Sequence, residues 1–214
     1  MDLPKNLILK QMELGPMGNF IYFLGDEQTK EISVIDPGWE ANFLSEEAKR
    51  LGYTIKAIFL THGHYDHVNA LEALLALHDV PVYISKYEPD IYTPKVKNVI
   101  KVENNEKLKI GNIEFTCIHT PGHTPGGQCF QHKNILLTGD MLFIDGCGRC
   151  DLPGGDAAVM HDTLYNFFIN LPDDTVLYTG HNYGSVPYTT IAEQKKTNPF
   201  LNCPNKEEFL LNRM

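Results

Sequence analysis

Four side chains able to bind a metal ion, His62, His64, Asp66 and His67, fall within six consecutive positions, in the string Thr61-His-Gly-His-Tyr-Asp-His. No other feature constrains the fold as tightly. Imidazoles and a carboxylate packed this densely repel or desolvate one another unless a cation sits among them. His62 and His64 are two positions apart, so in an extended segment leaving a strand both rings point the same way. Asp66 and His67 then fall in the first turn of a helix and reach a second position beside the first. Gly63 leaves room for the close approach. Three imidazoles and a carboxylate suit a borderline divalent ion, zinc first, with iron or manganese compatible. The string therefore asks for a strand, a tight turn and a helix start, held at the edge of a rigid scaffold.

The rest of the chain supplies that scaffold. Leu7–Met12, Phe20–Leu24 and Ile32–Ile35 are short apolar runs broken by Gly15-Pro16, Gly25-Asp26 and Pro37-Gly38, which predicts an antiparallel meander. Ala41–Leu51 has helical spacing, and Lys56–Leu60 reads as a strand running into Thr61. A helix is predicted over Asp66–His78, a strand over Val80–Ile84 and a helical turn within Ser85–Thr93. The second half repeats the style. Strands are predicted at Glu106–Ile110, Ile113–His119, Gln128–Gln131, Ile135–Thr138 and Thr175–Thr179. Helices are predicted at Asp156–Asn170 and Thr190–Thr197, followed by a short tail. Strands followed by helices, twice over and without a Gly/Ser-rich linker, predict one domain over residues 1–214 with two packed sheets and helices outside.

Three further segments place a potential ligand in a glycine-containing turn after an apolar strand: His119-Thr-Pro-Gly-His123, Leu137-Thr-Gly-Asp140 and Tyr178-Thr-Gly-His181. Together with the first string they make seven ligands, five His and two Asp. Taken with GRCDLPGGD (148–156) and TNPFL (197–201), these motifs resemble the metallo-β-lactamase-fold hydrolases, and most of all their glyoxalase II (hydroxyacylglutathione hydrolase) branch. The resemblance implies an α+β fold, a four-layer αββα sandwich, with a binuclear site at one edge. It assigns a first ion to His62, His64 and His123 and a second to Asp66, His67 and His181, with Asp140 bridging. It further implies a hydroxide attacking a small-molecule thioester, with Asp66 orienting it. Full-length glyoxalase II proteins hold glutathione partly through a C-terminal helical segment. With 33 residues after His181 (214 − 181), most of that segment is expected to be missing.

Other positions carry weaker signals. Asp36, in Val-Ile-Asp-Pro-Gly, matches a family position near the site; a bond to a ligand histidine and a plain turn role weigh equally. Arg149 lies nine residues beyond Asp140 and is a candidate to bind a substrate carboxylate. Tyr183, two beyond His181, is a candidate hydrogen-bond donor at the cleft mouth. His78, His132 and His161 read as packing or surface residues, while His119 stands evenly between packing and the cleft. Cys147-Gly-Arg-Cys150 is a C-x-x-C, but it lies in a loop rather than at a helix start, which argues against a redox pair. The stretch Gly146–Arg149 also resembles persulfide dioxygenases, which keeps open a single iron on His62, His123 and Asp140. A lactonase or an RNA-processing nuclease is compatible with the same fold.

Composition narrows the partners. Eighteen basic against 27 acidic residues leave a formal charge of −9, which argues against nucleic acid. Five cysteines, an odd number, fit a reducing compartment, and the N-terminus lacks the pattern of a signal peptide. No apolar window long enough to span a bilayer is present. The expectation is a cytoplasmic enzyme without a membrane partner; oligomeric state is not readable.

Overall fold

The computed structural model describes residues 3–213. Six strands form a first sheet in chain order: β1 (Leu7–Leu14), β2 (Asn19–Asp26), β3 (Glu31–Ile35), β4 (Thr54–Phe59), β5 (Val82–Ser85) and β6 (Val99–Val102). The meander β1–β2–β3 is antiparallel as expected, and β4, β5 and β6 then add in parallel. Helix α1 (Ala41–Arg50) connects β3 to β4; α2 (Tyr65–Val68) and α3 (Leu71–Leu77) connect β4 to β5.

The second sheet begins with β7 (Lys107–Ile110), β8 (Ile113–His119), β9 (Gln128–His132) and β10 (Ile135–Gly139). A small hairpin of β11 (Leu142–Phe143) and β12 (Gly146–Cys147) follows, then α4 (Ala157–Asn166). Strand β13 (Val176–Thr179) returns parallel to β10, and β14 (Thr189–Thr190) closes the edge, in the order β14-β13-β10-β9-β8-β7. Helices α5 (Ile191–Thr197) and α6 (Lys206–Arg213) end the described chain.

Period-two alternation builds the layers. Every residue of β2 is buried: Phe20, Tyr22 and Leu24 point between the sheets, whereas Ile21 and Phe23 point to the helices. Phe59 from β4 meets Phe115 and Phe130 of the second sheet at ring-centroid distances of 6.2 and 5.3 Å. The outer face of the first sheet is covered by Leu44 and Ala48 of α1 and Leu71 and Leu74 of α3. The outer face of the second is covered by Met160 and Leu164 of α4, Ile191 of α5 and Phe209 of α6. Three apolar layers thus separate four structural ones, the αββα arrangement. No helix among the described residues is long and apolar enough to cross a membrane.

Several elements differ from the sequence reading. The helix expected over Asp66–His78 is two pieces, because the Ala70 N–H goes to Pro37 O (3.1 Å) between them. The break lets His67 face one way and the Leu71–Leu74 stripe another. The helix expected to reach Asn170 ends at Asn166; it tightens into a 3₁₀ turn, Phe168–Asn170, that buries Phe168. Ser85–Thr93 does hold the single helical turn expected, with Thr93 N donating to Pro89 O (3.0 Å). Strands β6, β11, β12 and β14 were not foreseen, and the closing tail contains α6.

Candidate metal centre

The loops after β4, β8, β10 and β13 meet at one edge of the sandwich, and backbone bonds within and between the sheets lock them there. Phe20 N donates to Gly180 O (2.8 Å), Gly180 N to Gly139 O (2.9 Å) and Gln128 N to Thr61 O (2.9 Å). All seven residues expected as ligands come together. His62, His64 and His123 form one group and Asp66, His67 and His181 a second; in each, the nearest donor atoms lie within 4.8 Å of one another. Asp140 sits between them: Oδ1 lies 3.3 Å from His67 Nε2, while Oδ2 lies 3.6 Å from His123 Nε2 and 3.3 Å from His181 Nε2.

Glycine is required at the closest approaches. A Cβ on Gly63 would lie 1.6 Å from Tyr92 O, and one on Gly180 would lie 2.2 Å from Asp140 Oδ1. Only a bare backbone lets the first string pass beneath Tyr92, and lets Thr179-Gly-His181 pass Asp140.

The far side of each ring fixes which nitrogen faces the centre. His67 Nδ1 donates to Asp36 Oδ2 (3.0 Å), His123 Nδ1 to Arg149 O (2.7 Å) and His181 Nδ1 to Met17 O (3.0 Å). Thr61 Oγ1 donates to Asp36 Oδ2 (2.5 Å) and so accepts from His62 Nδ1 (3.0 Å). In all four rings Nδ1 carries an outward-held proton, so Nε2 is the nitrogen that turns inward. His64 is reversed, with Nδ1 2.8 Å from His123 Nε2. Asp36 fills both roles weighed for it: its φ of 49° makes the turn, and its carboxylate orients His67 and Thr61.

Sequence reasoning missed three supporting residues. Asn19 Nδ2 donates to Asp66 Oδ2 (2.9 Å), and Trp39 Nε1 donates to Asn19 Oδ1 (2.8 Å), so β2 and the turn before α1 aim the Asp66 carboxylate. Buried Glu88 clamps the two histidine loops: Oε1 accepts from Gly63 N (2.9 Å), and Oε2 accepts from Thr124 Oγ1 (2.9 Å) and Gly126 N (2.8 Å). Asn19 and Trp39 carry no motif, and Glu88 lies in a stretch without clear periodicity.

These donors fit a bound cation. The buried, inward-facing atoms His62 Nε2 and Asp140 Oδ1 have no hydrogen-bond partner, at a cost of about 1–3 kcal/mol each if left so. Ligands at roughly 2.0–2.1 Å on a tetrahedral ion lie about 3.3–3.4 Å apart. The inward-facing atoms of the second group match: His67 Nε2 to His181 Nε2 is 3.2 Å, and Asp66 Oδ2 lies 3.3 Å from His181 Nε2 and 3.5 Å from His67 Nε2. These are loose hydrogen bonds but normal coordination edges.

Electrostatics divide the two groups. Burial pulls the His62 and His123 pKa values down, and pulls His64 down to about 4, so the first group is neutral at pH 7. Burial also acts against a charge on His67 and His181, but Asp140, Asp36 and Asp66 outweigh it. They raise His67 well above its ordinary value and His181 to about 9. Asp66, hydrogen-bonded to His181 and Asn19, is held at about 2 despite burial. Without an ion, protons on the second group balance its carboxylates.

A cleft of about 810 Å³ opens over the centre, with Met17, Tyr65, Tyr92, Phe143 and Tyr183 among its apolar walls. Tyr183 stacks on His181 (4.6 Å between centroids, 12° between planes), and its hydroxyl stays protonated because burial and the nearby Asp140 and Asp66 raise its pKa. Arg149 lines the same cleft, but its guanidinium is forked onto Asp151 by two 2.6 Å bonds. Its carbonyl accepts from His123 Nδ1 and so positions that ring. Cys147 and Cys150 are free thiols, pushed up by burial to about 12 and about 11, which leaves them unreactive at neutral pH. His119 stacks on Tyr87 and contacts Pro125 O (2.9 Å), bracing the His123 turn from outside. His78, His132 and His161 bond Ser45, Glu114 O and Asp162, as packing or surface residues.

A four-layer αββα sandwich carrying two His/Asp groups around a shared carboxylate is the architecture of the metallo-hydrolase superfamily. The family model described as "Metallo-beta-lactamase superfamily" matches residues 14–181, and the chain belongs to that superfamily. It is 33% identical to the probable polyketide biosynthesis zinc-dependent hydrolase PksB of Bacillus subtilis, over 90% of this chain and 85% of that protein. It is 35% identical to the hydroxyacylglutathione hydrolase GloC of Haemophilus influenzae, over 82% of this chain and 90% of that one. The crystal structure of ETHE1 from Myxococcus xanthus superposes with a TM-score of 0.84 at 30% identity, covering 95% of this chain and 88% of the other.

Proposed function

We propose that this chain is a glyoxalase II-like thioesterase that uses two divalent ions, zinc foremost, held by His62, His64 and His123 and by Asp66, His67 and His181, with Asp140 between them. The observation that carries the reading is the completeness of both groups: Asp66 and His67 are as well oriented as the first three histidines. Such ions, when bound, supply a hydroxide nucleophile at neutral pH and polarise a carbonyl. The chain's own residues do the rest. Asp66, ionised and fixed by Asn19, accepts a hydrogen bond from the attacking water and orients it. Tyr183, protonated and clamped against His181, donates at the cleft mouth to the substrate carbonyl. The apolar walls receive the acyl chain and exclude bulk water.

The test is turnover of S-lactoylglutathione, simple acyl thioesters and a lactone by the metal-loaded protein. Thioester hydrolysis abolished by chelation is expected. Absence of turnover on every thioester, with oxygen uptake on glutathione persulfide by a protein holding about one iron per chain, would replace this reading with the dioxygenase.

A further inference from the structure

Arg149 and Arg213 are the two arginines in the cleft wall. Arg149 is paired with the Asp151 carboxylate through Nε and Nη2. Arg213, at the end of α6, is held differently. Its guanidinium carbon lies 4.1 Å from the Phe200 ring centroid, its Nε donates to Cys147 Sγ (3.2 Å), and its Nη2 donates to Cys147 O (2.9 Å). Ring, thiol and carbonyl fix the guanidinium plane without neutralising it. No carboxylate forms an ion pair with it among the described residues, and Nη1 has no partner there. Asp151 feels Arg213 through space, but its own carboxylate is forked onto Arg149. The anchor is close to the chemistry: Gly148, the residue after Cys147, packs so tightly that a Cβ there would lie 2.1 Å from Asp140 O and 2.9 Å from His123 Nδ1.

We propose that Arg213, and not Arg149, binds the anionic end of the thiol that carries the acyl group, and so sets substrate specificity; this rests on the thioesterase reading above. Acyl thioesters are built on thiols with an anionic terminus, the carboxylates of glutathione or the phosphate of phosphopantetheine. A guanidinium with free N–H groups and a fixed plane binds either oxyanion. On a chain of charge −9, an unneutralised guanidinium at the cleft wall gives such a substrate one orientation, with its thiol end at Arg213 and its acyl carbon over the metal centre.

The experiment titrates two non-hydrolysable thioethers, S-hexylglutathione and S-hexylphosphopantetheine, into the metal-loaded full chain and its R213Q, R213K and R149Q variants by calorimetry. R213Q is expected to weaken the better-bound probe about 10- to 100-fold, the worth of a charge-assisted bond. R213K should recover part of the loss, and R149Q should stay within twofold. The probe that loses affinity identifies the anion as carboxylate or phosphate. Hydrolysis of a neutral N-acetylcysteamine thioester should stay within twofold in R213Q, showing an intact metal centre. Equal binding by wild type and R213Q, a loss in R149Q matching that in R213Q, or no binding of either probe by wild type would overturn the proposal. Arg213-dependent binding by a protein that hydrolyses no thioester would instead leave Arg213 as the anion anchor and remove the hydrolase reading.

Discussion

Replacing Asp36 by Asn tests how the second metal group is held. The Asp36 carboxylate is buried and accepts three bonds, from Thr61 N (2.7 Å), Thr61 Oγ1 (2.5 Å) and His67 Nδ1 (3.0 Å). Asn has the same shape and tolerates the φ of 49° at this position, so the turn survives. Its amide has one acceptor where the carboxylate has two. With Oδ1 kept by Thr61 N, the amide NH₂ occupies the place of Oδ2. Thr61 Oγ1 can rotate to accept and continue to hold His62. His67 cannot adapt in this way: its Nδ1–H now faces N–H, so the ring reverses its tautomer and puts a proton on Nε2, or turns away. A protonated Nε2 does not ligate. Loss of such an orienting partner weakens metal affinity by about 10–100-fold, ~1.4–2.7 kcal/mol. The loss should fall on the second ion alone. Stepwise zinc competition against a chromogenic chelator reads both steps; the tighter should shift by less than twofold and the weaker by 10–100-fold. Two unchanged steps, or two steps weakened alike, would refute the assignment of Asp36 to His67.

Other expected outcomes follow from the same geometry. The G63A chain must move Tyr92 O, which would lie 1.6 Å from the new Cβ; a loss of about 1–3 kcal/mol is expected, read as a lower thermal midpoint, and an unchanged midpoint would show that the loop yields freely. E88Q removes acceptors that tie Gly63 N, Thr124 Oγ1 and Gly126 N together, so about 1–3 kcal/mol of stability should be lost and zinc affinity should fall, although a buried charge is removed too; a more stable E88Q protein would mean that burying the charge costs more than the clamp contributes. The two metal groups should differ in pH dependence. His181, near 9, must release a proton before it ligates, so affinity at the second group should fall at least tenfold per unit as pH drops below about 9, while the first group, whose histidines burial holds below their ordinary value, changes less between pH 9 and 7. Calorimetry in buffers of different ionisation enthalpy measures the protons released, and equal release at both steps would contradict the division.

The seven candidate ligands were legible because each follows an apolar strand within a short glycine-bearing turn, a pattern that survives without knowledge of the third dimension. Their alignment was not. Asp36, Glu88 and Asn19 act on partners 25 to 47 positions away, through bonds no local spacing encodes. The spacing of Arg149 from Asp140 does not reveal that its guanidinium pairs with Asp151, two residues on. The split of the second helical region was hidden because helical periodicity runs across Asn69 and Ala70; the Pro37 carbonyl that interrupts it comes from another loop. Strands β11, β12 and β14 are two residues long, below what alternation can reveal. Helix α6 did leave a signal, Asn205 three positions before Glu208, and Asn205 Oδ1 accepts from Glu208 N (2.9 Å).

Two ions are expected to share the Asp140 carboxylate. Anomalous X-ray scattering at the zinc edge, from crystals of the zinc-loaded protein, tests it most directly. The expected map shows two peaks flanking Asp140, one in contact with His62, His64 and His123, the other with Asp66, His67 and His181. A single peak confined to the first group at saturating zinc, or one that leaves Asp140 uncoordinated, would rule out the shared binuclear site.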